Sequence, residues 1–272
     1  MMEKKYTLNP AFLLVALLFL LTGCEDVITL KLDEPGDQYV IEAQITDQLK
    51  GAQVALSKVK NFNADNHFNG QSGALVSIED ESGTPYILPE TSTKGIYRND
   101  LLKGIPSKAY KLKVQIVGKT FTATSIMPQK VVAQNAFAFE LSLFDGPRLF
   151  THVTYLDPVD RENYYRFFEY VNGVYTKTIT VTDDEFTNGK LVKQMLWPNE
   201  FTEETKLKKG DEIKVEFLNI DKNIFKYWKS VKDGALGSSG NASPVNPVSN
   251  ISGGAIGYFS AHTIQSIEYT VK

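Results

Sequence analysis

Cysteine is almost missing from this chain, with a single residue among 272, at position 24. Without a second thiol there is no internal disulfide, so burial of apolar surface must hold the fold together. Histidine is scarce as well. His67, His152 and His262 stand alone, none at metal-ligand spacing from another histidine or from the cysteine, which leaves a zinc site unsupported. Neither sign of charge dominates: the formal net charge is −3, and losing the first 23 residues (two positive charges and one negative) would make it −4. Such a balance lacks the basic stripe that nucleic acid requires and the polybasic patch that attracts anionic lipid. There is no G-x-S-x-G elbow, no G-x-G-x-x-G loop and no EF-type calcium loop. No cofactor is therefore expected beyond a covalent lipid.

What is present begins at the N-terminus. Lys4 and Lys5 precede an apolar run from Ala11 to Leu21. That run is about half the length of a bilayer-spanning helix and fits the core of a signal peptide. It closes on Leu21-Thr22-Gly23-Cys24, which resembles the bacterial lipobox. Small residues at 22 and 23 suit a narrow peptidase site, and the Cys24 thiol is the nucleophile for acylation. Residues 1–23 are thus expected to be a lipoprotein signal peptide. Two or three acyl chains on Cys24 would give stable membrane anchoring. Glu25 and Asp26 follow at once, and such acids read either as a signal that holds a lipoprotein in the inner membrane or as a surface-export signal.

The full sequence has the composition of a protein with a real core, 42% hydrophobic and 22% charged, and its length allows one large or two medium domains. Period-two alternation predicts strands at 39–46, 53–59, 75–79, 84–88, 96–98, 110–116 and 120–126, separated by Gly, Asn and Asp turns. This spacing predicts an immunoglobulin- or transthyretin-like β-sandwich over residues 24–128. Residues 129–272 read as a second antiparallel β-sandwich or partly open barrel, with strands at 151–156, 164–171, 174–181 and 213–220. Asn172-Gly173 is a strong hairpin signal. Ile224, Phe225, Trp228 and Val231 fall on one helical face, predicting one short helix at about 221–233 with Asp221 as N-cap and Gly234 as its stop. A Gly/Ser/Pro loop spans 237–254. The glycines at 253, 254 and 257 mark a close backbone approach, expected against Trp228.

Several stretches carry a resemblance: CEDVITLKL from Cys24, YVIEAQITD from Tyr39, ENYYRFFEYVNGV from Glu162, and above all the Asn-Pro-x-x-Asn-Ile-x-Gly-Gly-x-x-Gly-Tyr-Phe pattern from Asn246 to Phe259. Together they resemble a family of Bacteroidota lipoproteins known only as domain of unknown function 4249, over essentially the whole mature chain. The resemblance implies an outer-membrane lipoprotein, commonly encoded beside TonB-dependent transporters, and it supplies no catalytic residues. The expected place is thus the outer membrane, on its periplasmic or cell-surface face, the surface being slightly favoured.

The remaining candidates are read one by one. Asp183-Asp184-Glu185 and the pair Asp157 and Asp160 suit solvated turns. Tyr164, Phe168 and Tyr170 share one strand face and are candidate ligand or interface aromatics, while Tyr165 and Phe167 share the other. The leading expectation is a non-catalytic binding accessory to a TonB-dependent channel. The alternatives are a structural or adhesive surface lipoprotein, and a degradative enzyme whose active site is dispersed along the chain.

Overall fold

Residues 38–59, 68–144, 146–235 and 247–272 are described by a computed structural model of the chain. Leu21, Thr22, Gly23, Cys24, His67 and residues 237–246 of the Gly/Ser/Pro loop lie outside them. The structure is mainly β, with several sheets and one helix.

The first seven strands fall close to where alternation predicts them. They are β1 (Tyr39–Thr46), β2 (Ala52–Lys58), β3 (Leu75–Glu79), β4 (Pro85–Ile87), β5 (Ile96–Asn99), β6 (Ala109–Ile116) and β7 (Lys119–Ile126). In β6, Tyr110, Leu112, Val114 and Ile116 are buried and Lys111 is exposed, because successive side chains on a strand point to opposite faces. After them come β8 (Ala133–Leu143), β9 (Gly146–Leu156), β10 (Tyr164–Val171), β11 (Val174–Tyr175), β12 (Thr180–Asp183), β13 (Leu191–Met195), β14 (Glu212–Ile220), α1 (Lys222–Ala235), β15 (Ile251–Ser252) and β16 (Ile256–Thr270).

Two of these differ in kind from expectation. β8 and β13 were not expected, although Phe137, Phe139, Leu141 and Leu143 do alternate along β8. The strand expected over 174–181 breaks in two, since Lys177 adopts a left-handed φ of 59° between β11 and β12. The hairpin before it is as predicted: Asn172 and Gly173 both take positive φ, 50° and 78°, which a tight turn between twisted strands requires.

The strands form three sheets. The largest runs β11-β10-β14-β16-β1-β2-β5, with β12 also on β10; a second runs β15-β7-β6-β3-β4, and a third β13-β9-β8. Two large clusters make up most of the apolar interior among the described residues. One cluster packs Ile41, Val54 and Leu56 of the large sheet against Ile78, Leu112 and Phe121 of the five-stranded sheet. The other packs Tyr165, Phe167 and Phe217 against Val153 and Tyr155. The large sheet itself does not divide. β16 lies parallel to β1 over residues 256–262 and antiparallel to β14 over 263–270. Its Phe259 and Ala261 belong to the first core, and its Ile267 and Tyr269 pack on the second.

Side-chain amides secure the chain where it passes between the cores. Val131 N donates to Asn219 Oδ1 at 2.6 Å, and Asn219 Nδ2 donates to Val131 O at 3.3 Å. Gln265 repeats the pattern at Ala133, with both bonds at 3.0 Å. Each amide thereby stands in for a missing strand neighbour, so that buried backbone groups keep their partners.

Helix α1 begins at its predicted cap. Asp221 Oδ1 accepts from Asn223 N and Ile224 N, each at 2.9 Å, and Oδ2 accepts from Ser125 Oγ on β7. Gly234 does not stop the helix, which runs one residue further. Ile224, Phe225 and Trp228 lie against Leu218, Ile220, Tyr164, Phe168 and Tyr258 on the large sheet. The close approach of Gly257 is to a strand and not to the helix: a Cβ there would sit 2.0 Å from Ile41 O on β1. Its neighbour Tyr258 is the residue that meets Trp228, with ring centroids 5.2 Å apart.

Gly257 also has φ 108°, so alanine would meet both backbone strain and a fixed carbonyl. Gly257→Ala is expected to cost about 3 kcal/mol or more. Gly173→Ala, in an open turn with nothing within 4 Å of the added Cβ, should cost about 1–2 kcal/mol. Thermal denaturation of both variants by circular dichroism checks the order, and equal losses would contradict it.

Candidate functional site

Tyr164, Phe168 and Tyr170 do share a face of β10, with Arg166 between them, and that face is largely roofed by α1. The Tyr164 ring lies 5.1 Å from Phe225 of the helix, and its hydroxyl donates to Glu162 Oε2 at 2.7 Å. Phe168 and Tyr170 each lie 5.5 Å from Tyr175, and the Tyr170 hydroxyl donates to Glu216 Oε2 at 3.2 Å. Arg166 is buried at the centre. Its guanidinium carbon stands 3.3 Å from the Trp228 ring centroid and 4.1 Å from that of Phe168. Burial opposes its charge and the Tyr258 and Tyr175 hydroxyls favour it, while its Nε has no hydrogen-bond partner among the described residues. Stacking of a weakly hydrated cation on aromatic faces makes this arrangement a clasp for the helix. Tyr165 and Phe167, on the opposite face, are fully in the second core.

The acidic turns are also more internal than expected. Asp157 and Asp184 are buried, not solvated, because each ties neighbouring segments together. Asp157 accepts from the Tyr165 hydroxyl, and burial pushes its carboxyl up. Asp184 Oδ2 accepts from Asn163 N at 2.9 Å. His152 is wedged between Phe137 and Phe139, at 5.7 and 5.2 Å. His262 is buried against Ser260 Oγ at 2.9 Å, and burial holds it down at about 4. Among the described residues, no three His, Cys, Asp or Glu side chains come together as a metal-binding group.

A cluster of partly exposed aromatics lies elsewhere, on the sheet β13-β9-β8 and the segment that follows it, while Phe68, Phe144 and Phe186 are exposed singly. Phe139 and Phe201 are half-exposed, and Trp197 nearly so. Trp197 and Phe201 cover Phe150, with centroids 5.1 and 6.3 Å away. This cluster draws on residues scattered between 137 and 201, so no single strand displays it in the sequence.

A cleft opens beside that cluster, and its origin is topological. β13 pairs with β9 from Leu191↔Leu156 to Met195↔His152, and one more bond follows, from Leu196 N to Thr151 O. Beyond that point, residues 196–207 become the far wall of a cavity of about 500 Å³ between the end of β9 and the β10–β11 hairpin. Leu149, Phe150, Val171, Leu196 and Leu207 provide apolar walls, and Phe201 stands at the lip. A more open hollow of about 600 Å³ near Gln44 and Lys130 is lined mainly by polar side chains. Volume and apolar lining of this order are what a small-molecule site requires, with a few polar groups to orient the ligand.

Glu169 is the polar group inside. It occupies the core-facing side of β10, two residues beyond Phe167, where the second core gives way to the cleft. Part of its surface remains accessible although protein surrounds it, because that surface opens into the cavity. Burial pushes its carboxyl above the usual range, opposed by the Thr151 hydroxyl. Thr151 Oγ1 is in turn 2.8 Å from the Tyr269 hydroxyl. At the rim, Arg148 donates from Nη1 to Thr202 O at 3.1 Å and lies over Phe201, and Lys206 pairs with Glu203 at 2.5 Å. One carboxyl on the floor of an apolar cavity with an aromatic lip suits reversible binding.

A family model described as "Domain of unknown function (DUF4249)" matches residues 25–268. No curated protein matches the chain.

An acid whose folded pKa is raised favours the fold in its protonated form. Its contribution is present below the unfolded pKa and is lost as pH rises through the folded value. Glu169→Gln is therefore expected to raise Tm at neutral pH, by about 2–4 °C for each kcal/mol relieved, and to flatten the pH dependence of stability. Calorimetry from acidic to neutral pH checks this. A lower Tm for the variant at neutral pH would mean that the carboxylate is well solvated where it stands.

Proposed function

We propose that this chain, which belongs to the DUF4249 family, is a lipid-anchored outer-membrane protein that captures a small ligand for a TonB-dependent transporter, with no chemistry of its own. The observation that carries the reading is the cleft between β9, β10–β11 and residues 196–207. Its walls are apolar, its lip is aromatic and its floor holds one carboxyl. Such a pocket can orient a guest through its apolar walls and the polar groups set among them. The anchor rests on the sequence from Lys4 to Cys24, where charged residues, a short apolar run and Leu-Thr-Gly-Cys follow one another. The acids Glu25 and Asp26 favour the cell-surface face. The transporter association rests on the family resemblance.

Two measurements test the proposal. Cys24→Ser is expected to abolish incorporation of labelled palmitate and to move the protein out of the membrane fraction; a variant that stays membrane-bound would refute the lipid anchor. Affinity purification of the tagged protein from mildly solubilised outer membranes should recover a TonB-dependent channel at near-equal amounts. Recovery of the lipoprotein with channels only at background would refute the transport role.

A further inference from the structure

Glu169 has no cation beside it. Among the described residues, no lysine, arginine or histidine forms an ion pair with its carboxyl, and the group that favours its charged form is the neutral Thr151 hydroxyl. Three basic residues line the same cleft: Lys177 lies at the turn after β11, and the other two are engaged at the rim. Arg148 is held at Thr202 and Phe201, and Lys206 at Glu203. Glu200 and Glu204 also line the cleft, so the mouth carries both signs of charge. Behind Glu169 the chain of hydroxyls from Thr151 to Tyr269 orients the floor without neutralising it.

A core-facing strand position ordinarily takes an apolar residue, as Tyr165 and Phe167 on the same side of β10 illustrate. Placing a carboxyl at 169 costs solvation that no protein cation returns. A ligand that carries the missing charge would return it, and the strength of a charge-assisted hydrogen bond in a partly desolvated site would then become binding energy. The walls point the same way. Leu149, Val171, Leu196 and Leu207 line the cavity beside Glu169 and suit the apolar body of such a ligand.

From these observations we infer that the cleft selects a small amphipathic amine, whose ammonium group pairs with Glu169 while its apolar part lies against Leu149, Phe150, Leu196 and Leu207. This assignment rests on the cleft being the ligand site. It adds the charge of the guest and the residue that reads it. It also gives affinity a pH dependence. As pH falls and Glu169 takes up a proton, the ammonium loses its partner, and burial of the carboxyl makes this loss begin above the ordinary carboxylate range.

The test uses two probes of one shape, 2-phenylethylamine and 2-phenylethanol, titrated by calorimetry into the folded protein at neutral pH. The amine is expected to bind about tenfold or more tightly than the alcohol. Glu169→Gln should bring the amine down to the level of the alcohol and leave the alcohol unchanged. Acidification should weaken the amine alone. Alcohol binding equal to or tighter than amine binding in the wild-type protein would overturn the amine assignment and leave the cleft as a site for neutral guests. If neither probe binds, or if both bind equally well after Leu207→Trp fills the cavity, the cleft itself fails as the ligand site and both readings fall.

Discussion

Fifteen residues, Ile256–Thr270, serve two hydrophobic interiors at once, and the remaining architecture depends on how they do so. Strand β16 enters beside β1 in parallel and leaves beside β14 in antiparallel, so one extended segment supplies inward side chains first to one core and then to the other. The parallel half joins residues more than 200 positions apart, from Val40↔Ile256 onward. Loop-closure entropy opposes such a contact until the surrounding surfaces are ready to receive it. The first sandwich therefore stays incomplete until the end of the chain arrives. Gly257 is the point where this joint leaves no room for a side chain.

The ties around that strand are polar and specific. Asn219 and Gln265 hold the crossing segment at Val131 and Ala133, and Asp221 joins the start of α1 to Ser125 on β7. Ser125 Oγ in turn accepts from Ala261 N on β16 at 2.9 Å. A helix cap, strand β7 and the shared strand thus meet at one carboxylate and one hydroxyl. Burial without these partners would leave several backbone groups unpaired, at a cost of about 1–3 kcal/mol each. The helix closes one face of the large sheet through Arg166 and Trp228. What stays open lies on the other side, at the point where β13 stops pairing with β9.

Much of the fold can be read from the residues. The seven strands before Met127 fall close to where pattern places them, and short-range alternation suffices best in β1, β2, β6 and β7, where buried positions recur every second residue. Asn172-Gly173 and Asp221 are equally local, since a turn and a helix cap are decided within four or five residues. Local pattern fails where a long-range partner decides. Gly257 looks like a contact for Trp228 until β1 is seen to lie beside it. Asp157 and Asp184 look like solvated turn acids until the fold buries them, and Glu169 gives no sign in the sequence of the cavity it lines.

By itself, the sequence determined the β-rich class, the strand positions of the first half, the helix and its cap, and the family, because each rests on periodicity, on a turn or on an ordered motif. Only the tertiary structure decided which aromatic face is roofed and which is open. It also decided that β16 binds both halves into one sheet and that Glu169 faces a cavity. The physical reason is that a strand's two faces look alike in sequence when both are rich in aromatics. What covers each face is set by elements far away in the chain, here α1 on one side of β10 and residues 196–207 on the other.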